Sequence, residues 1–420
     1  MWIGNLTKLT QQVGWLAVVL GAASCGSNES NRSTPAGVTA TSQERTVDIL
    51  SHWFFPGGIE GLQDLIKIHK DNHPEDQVIN DARIGMGWDA VLAERIAAGN
   101  IPNVYVQPSS EVAGFLQKYG ADSLQPLDDF LALPSQAAVL PNLPPELVAD
   151  VTVNDQIYGL PAGNVLRANG VFYNRHVFAA NQLNPPTTLD EFLTVCRKFK
   201  AAGVNCVTTT YMGLLFEGLL AGLMGIDAYY SYRSGGEPDE TALRQGIDLF
   251  AEVVDNYLDP TAMGPIGGGD LAMNALVSGQ AAMWTMGDWM KASLEEMGWT
   301  PGVDYGVIAS PGNAGLFVYA ADVFTSPTGA SDLPGALSFL GTVASVEGQI
   351  AFIGFDATPA RRDVQVTTDS ERGGIIADWK QAKYHLAGNS HLTWEGPLQW
   401  FARATQRDKE GLLQHLLTVP

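Results

Sequence analysis

Residues 279–289 read Gly279-Gln-Ala-Ala-Met-Trp-Thr-Met-Gly-Asp-Trp289, and this stretch decides the fold. Asp270 caps a helix that ends at Gly279, and Ala281-Ala282-Met283-Trp284 then predicts a buried strand. That strand delivers Met286-Gly287-Asp288-Trp289 to its carboxyl end, where open α/β sheets hold their ligands. Asp288 and Trp289 are therefore candidate site residues. Upstream, Cys206 to Thr210 is strand-like, and Gly213 to Gly225 is a helix apolar nearly all round, which predicts burial. Thr188 followed by Glu191 marks the start of another helix, because a Thr cap and a Glu three residues on satisfy each other's backbone N–H groups.

The first half carries the same alternation. Val47 to Ser51 is a strand, and Ile59 to Asp71 a helix with Leu62, Leu65, Ile66 and Ile68 on one face. Val78-Ile79 resumes as strand after Pro74, Ala90 to Ala98 is helical up to the Gly99-Asn100 stop, and Pro102 to Val106 is a buried strand. Strand and helix in alternation predict parallel sheets wrapped by helices. Val171-Phe172-Tyr173 is a further strand, Leu316 to Phe324 a long apolar one, and Pro334 to Thr342 a helix. Phe352 to Thr358 leads into a tail read as helical. At 420 residues, 45% hydrophobic, the chain exceeds one core, so two domains are expected.

The net charge is −21. A surface this acidic repels nucleic acid and anionic headgroups. Residues 1–24 combine Lys8, an apolar run from Val13 to Leu20 and the small residues Gly21-Ala22-Ala23-Ser24, the pattern of a secretory signal. Its removal takes away the single charge of Lys8 and leaves −22. Small residues before Cys25 resemble a lipobox, where the Cys is acylated, although Ala22 stands where an aliphatic residue is preferred; plain cleavage is the rival reading. Gly26 to Arg45 is rich in Ser, Asn, Thr, Gly and Pro, a coil of about 25 Å r.m.s. span. Cys196 and Cys206 flank a helix end, a Gly203 cap and a strand start, and either a bridge or two buried thiols suits that segment.

Three segments in order carry a resemblance: Asn184-Pro-Pro-Thr-Thr-Leu-Asp-Glu-Phe192, the 279–289 stretch, and Pro301-Gly-Val-Asp-Tyr305 leading to Ala309-Ser-Pro-Gly312. With them the chain resembles, over residues 46 to 405, the extracellular carbohydrate-binding (family 1 solute-binding) proteins of bacterial ABC sugar importers, nearest to the glucose/mannose-binding group. The resemblance implies a type II periplasmic-binding-protein-like α/β fold, with two discontinuous lobes joined by a hinge around a ligand cleft. It places the lobes at 46–163 plus 321–357 and at 168–316 plus 360–420, after a signal at 1–24 and a tether at 25–45. The crossings fall near Ala162 to Asn169, Leu316 to Asp322 and Phe355 to Arg361. It implies a monomeric, extracytoplasmic binding lipoprotein without catalytic residues, cofactor or metal. Its partners would be a small neutral sugar and a membrane permease, with the lipid at Cys25 as the contact to the membrane.

A sugar presents apolar C–H faces and a rim of hydroxyls, so its pocket needs aromatic walls and polar pairs. The resemblance makes Trp289 the foremost wall, and Trp53 and Phe54 stand where the glucose/mannose group has a Trp pair. Asp322 and His391 fall at its polar contacts. Asp288, Glu60, Gln107, Glu111, Arg167, Glu217 and Trp394 complete the candidates. Two departures bear on the ligand: the acidic pair expected at Pro56-Gly57-Gly58 is missing, and Val106-Gln107-Pro108 replaces a Gln and His. His69 and His73, four apart, read as a helix end rather than a metal site, and Gly267-Gly268-Gly269 lacks the Lys-Ser/Thr of a phosphate cradle. The rival classes are a secreted glycosidase with paired carboxylates and the same fold holding a polyamine or polyol.

Overall fold

Val47, Ile49 and Leu50 have no exposed surface, because the strand that carries them lies inside a sheet. The computed structural model describes residues 45–53, 56–82, 88–262, 269–352, 357–366, 370–388 and 390–418. Cys25, the signal and the tether up to residue 44, together with Phe54, lie outside the described residues. The strands are β1 (Thr46–Ser51), β2 (Gln77–Ala82), β3 (Val104–Pro108), β4 (Thr152–Val153), β5 (Gln156–Ile157) and β6 (Leu160–Arg167). They continue as β7 (Gly170–Asn174), β8 (Asn205–Thr208), β9 (Ala281–Thr285), β10 (Tyr305–Ala309), β11 (Leu316–Thr325) and β12 (Tyr384–Ala387). One sheet runs β12-β11-β3-β1-β2, with β6 also paired to β11; the other runs β10-β7-β9-β8; β4 and β5 form a hairpin.

In the first sheet β2, β1 and β3 are parallel, as helices Gly58–Asn72 and Trp88–Ala97 supply the crossovers that parallel pairing needs. In the second sheet β8 and β9 are parallel, whereas β7 and β10 run antiparallel. The parallel pairing expected from the alternation thus holds for β1, β2 and β3, while both sheets as wholes are mixed. Only Ala168 and Asn169 separate β6 from β7, so the hinge strand, not a crossover helix, sets the direction in which β7 enters.

The second sheet has its own core, and the first sheet has one main core and a smaller cluster with Leu50, Tyr105 and Val323. Leu316 and Val318 pack in the second core while Phe317 and Tyr319 pack in the first, the period-2 alternation of β11 feeding both. β12 does the same: Tyr384 and Leu386 lie against the second core and Ala387 against the first. Three segments lie side by side here. β6 pairs antiparallel with β11 from Tyr319↔Arg167 to Phe324↔Leu160, and the Val165 and Thr358 backbones exchange hydrogen bonds of 2.9 and 3.0 Å.

The chain does not leave the first core at residue 360. Ile375 and Trp379 of helix Ser370–Gln381 are part of it, and the second core is rejoined by Leu398 and Phe401 of helix Ser390–Arg403. The tail read as wholly helical contains β12, a four-residue strand too short to show a period of its own. Two local expectations have definite outcomes. Cys196 and Cys206 are joined by a disulfide across Cα atoms 4.9 Å apart, and Thr188 Oγ1 accepts the Glu191 N–H at 3.2 Å. The helix before β9 starts at Gly269, so Asp270 falls in its first turn and not at its cap.

Candidate functional site

β1 ends at Ser51 and is followed by His52 and Trp53, whose indole packs against Phe324 and Phe352, with ring centroids 5.5 and 4.9 Å away. Trp53 is only 2% exposed, yet it walls a cavity. Trp289, which follows β9 of the second sheet, lines the same cavity, together with Asn164 and Leu166 of β6. Gly287 makes the placement possible: a Cβ there would lie 1.8 Å from the Trp289 ring. The two indoles thus come from separate lobes and face one space of about 20 Å³, room for about one water. A ring-sized ligand therefore needs the walls to part, the motion that a hinge allows.

Asp322 of β11 is tied to two residues of that lining, Trp53 and Asn164. Its Oδ2 accepts Trp53 Nε1–H at 3.0 Å and Asn164 Nδ2–H at 2.9 Å, and His52 Nε2 is 3.5 Å away. Burial by itself pushes the Asp322 carboxyl up, but His52 and these donors outweigh it and hold the group below the usual carboxylate range. Burial likewise pulls His52 down, and Asp322, the Val106 backbone and Glu111 outweigh that, so its pKa is raised. Both side-chain donors go to Oδ2, and an ionised carboxylate keeps further acceptor capacity beyond two bonds. Glu111, half-buried on the short turn Ser109–Glu111, adds a second negative charge near His52.

Several candidates have other occupations. Glu217 is buried in helix Met212–Met224, where Oε1 accepts the Tyr229 hydroxyl and Arg233 Nη1–H, both at 2.6 Å. Burial first, and then Glu217, push the Tyr229 hydroxyl well above its usual range. Both of these partners come from the next helix, Ile226–Arg233, and Tyr229 is part of the second core. Arg167, also buried, bonds Asp378 at 2.8 Å and lies 4.6 Å over the Phe317 ring. It lines a different cavity, of about 230 Å³, with Asp378 and Asn313. Glu60 accepts the Gly57 N–H at 2.7 Å and so caps its own helix. Gln107, on β3, donates to Thr325 within the sheet at 3.3 Å.

Asp288 occupies the hinge edge, its Oδ1 accepting the Arg167 backbone N–H at 2.8 Å and tying the second lobe to β6. His391 and Trp394 lie in helix Ser390–Arg403, but their side chains fall outside the described residues. His69 is buried and bonded to Asp76 (3.0 Å) and Thr342 (2.8 Å), and burial lowers its pKa. Among the described residues no three His, Cys, Asp or Glu side chains gather as metal ligands.

Two cleft residues escaped the sequence reading. Asn164 is a lone amide in the otherwise apolar Leu160-Pro-Ala-Gly-Asn-Val-Leu166 run, a signal that was available. His52 gave none, since its role depends on a partner 270 residues away.

Residues 88–381 match the family of bacterial extracellular solute-binding proteins, and the chain belongs to that family. It is similar to a protein of Pyrococcus horikoshii named an uncharacterized ABC transporter extracellular-binding protein, 28% identical over 84% of this chain and 79% of the relative. It is also similar to a probable sugar-binding periplasmic protein of Brucella suis, 25% identical over 83% and 82% of the two chains. Among solved structures, a chitin oligosaccharide binding protein superimposes with a TM-score of 0.73 at 19% identity, over 90% of this chain and 98% of the other. At that identity the likeness concerns the fold, two α/β lobes about a hinge, as the resemblance implied.

Proposed function

We propose that this solute-binding protein captures a small neutral sugar between Trp53 and Trp289 and hands it to the permease of an ABC importer. One observation carries the reading: two indoles delivered by different sheets line a single cavity, and an ionised Asp322 is hydrogen-bonded to one of them. Indole faces suit the C–H face of a pyranose, and the carboxylate suits its hydroxyls. A ligand touching both walls binds the closed form best and shifts the population toward it, which is capture without turnover. The relatives named as sugar-binding and as ABC transporter components support the same reading. Attachment through an acylated Cys25, with residues 26–45 as a flexible tether, completes the proposal and rests on the small residues before that Cys.

Thermal unfolding against a panel of mono- and disaccharides, polyols and polyamines tests it. A specific ligand at 100 times its Kd adds about 2.7 kcal/mol, so at least one neutral sugar raises Tm. Trp289→Ala removes that rise while retaining the unliganded melting transition. A response confined to amines, or a sugar response untouched by Trp289→Ala, overturns the assignment.

A further inference from the structure

A second cavity, of about 490 Å³, lies against helix Ser370–Gln381, β12 and the segment 358–366, and shares no lining residue with the Trp53–Trp289 cleft. Its walls are amphipathic. Trp379 forms the apolar floor with Val364 and Ile376, and Trp379 is held edge-on by Phe317 (5.1 Å) and Tyr319 (5.6 Å). His385 donates Nε2–H to the Trp379 carbonyl at 2.7 Å and presents its ring edge-on 4.3 Å from the indole. The volume and this mixture of apolar wall and few polar groups are those of small-molecule sites.

The charge is the informative part. The chain has 45 Asp and Glu against 24 Lys and Arg, yet Arg361, Arg362 and Lys380 line this cavity and no Asp or Glu is among its described lining residues. Arg361 is neutralised by Asp363 (2.9 and 2.6 Å) and donates to the Ala344 carbonyl (2.7 Å). Glu146 stands 3.6 Å from His385 Nδ1. Arg362 and Lys380 are exposed and have no ion pair among the described residues. Two free cations over an indole floor, in a protein otherwise strongly acidic, form a local attractor for negative charge.

The geometry points to a second ligand site here, for a small organic anion whose apolar body lies on Trp379 and whose carboxylate sits between Arg362 and Lys380. The Thr358 backbone at its rim is bonded to Val165 of the hinge strand β6. The occupant therefore rests on a crossing segment without entering the sugar cleft.

Calorimetric titration of the purified protein with benzoate tests the assignment, with benzyl alcohol as the uncharged ring and inorganic phosphate as the charge without a ring. Benzoate binds saturably, and both controls bind at least about tenfold more weakly. Arg362→Ala with Lys380→Ala weakens benzoate by at least about tenfold and leaves the unliganded Tm nearly unchanged, since both side chains are exposed. Sugar-induced stabilisation persists in that double variant, which separates this site from the cleft. Absence of saturable benzoate binding up to about 10 mM, equal binding by the double variant, or phosphate binding as tight as benzoate overturns the proposal.

Discussion

Glu217, buried, and Asp322, half-buried, are acidic residues that sequence reasoning placed in the site, and their surroundings differ. Glu217 meets Tyr229 and Arg233, both from the helix that follows its own, inside one core. Asp322 meets Trp53 from the end of β1 and Asn164 from β6, at the place where three chain segments and two lobes converge. A carboxylate satisfied by its neighbours in sequence holds a lobe together. One whose partners, Trp53 and Asn164, come from distant segments and themselves line the cavity instead ties that cavity's wall together, and under the proposed function it is the one that bears on a guest.

The comparison breaks most visibly at Arg233. Arg233→Ala leaves Glu217 buried without its cation, so urea unfolding shows a loss of about 3 to 5 kcal/mol, while the sugar Kd of the folded protein stays the same. A rise in Kd would move Glu217 back into the site. Asp322→Asn gives the converse result. Sugar affinity falls about 5- to 150-fold, the cost of an unsatisfied hydroxyl, and the urea midpoint moves less than in Arg233→Ala. Unchanged affinity would make Asp322 as structural as Glu217.

The smallest effect is the pH dependence of the His52–Asp322 pair. Asp322 is held below its unfolded value, so its contribution is present above about pH 3.9 and is lost as pH falls through its folded pKa. His52 is raised, so its contribution is complete below about pH 6.5 and is lost as pH rises through its folded pKa. The stability difference between the protein and His52→Gln is therefore widest between about pH 4 and 6.5 and narrows in alkali. His69, lowered by burial, costs stability on acidification below about pH 6.5, but it is common to both proteins and cancels in the difference. A difference flat with pH would remove the coupling between this His and the cleft wall.

Much of the fold was legible. The 279–289 stretch, the Thr188–Glu191 cap and the apolar 213–225 helix appear where their patterns put them, because burial and capping are written in spacings of two to four residues. Helix and strand ends such as Asp270 and Thr210 shifted by a residue or two, which local patterns do not set. The site was legible in part. Trp53 and Trp289 line one cavity and Asp322 accepts from Trp53, whereas Glu60, Gln107, Arg167 and Glu217 are occupied elsewhere. An acidic or basic residue type says what a side chain can bond, not which of several partners it meets.

By itself the sequence determined two α/β cores, the strand that presents Trp289, and an acidic surface, since each follows from composition or from short-range periodicity. Only the tertiary structure decided that β11 and β12 serve both cores, that Arg167 turns from the cleft to Asp378, and that Asp322 receives Trp53 and Asn164. These outcomes depend on pairings between residues far apart in the chain, where register and packing, not local pattern, set which groups come within hydrogen-bond distance.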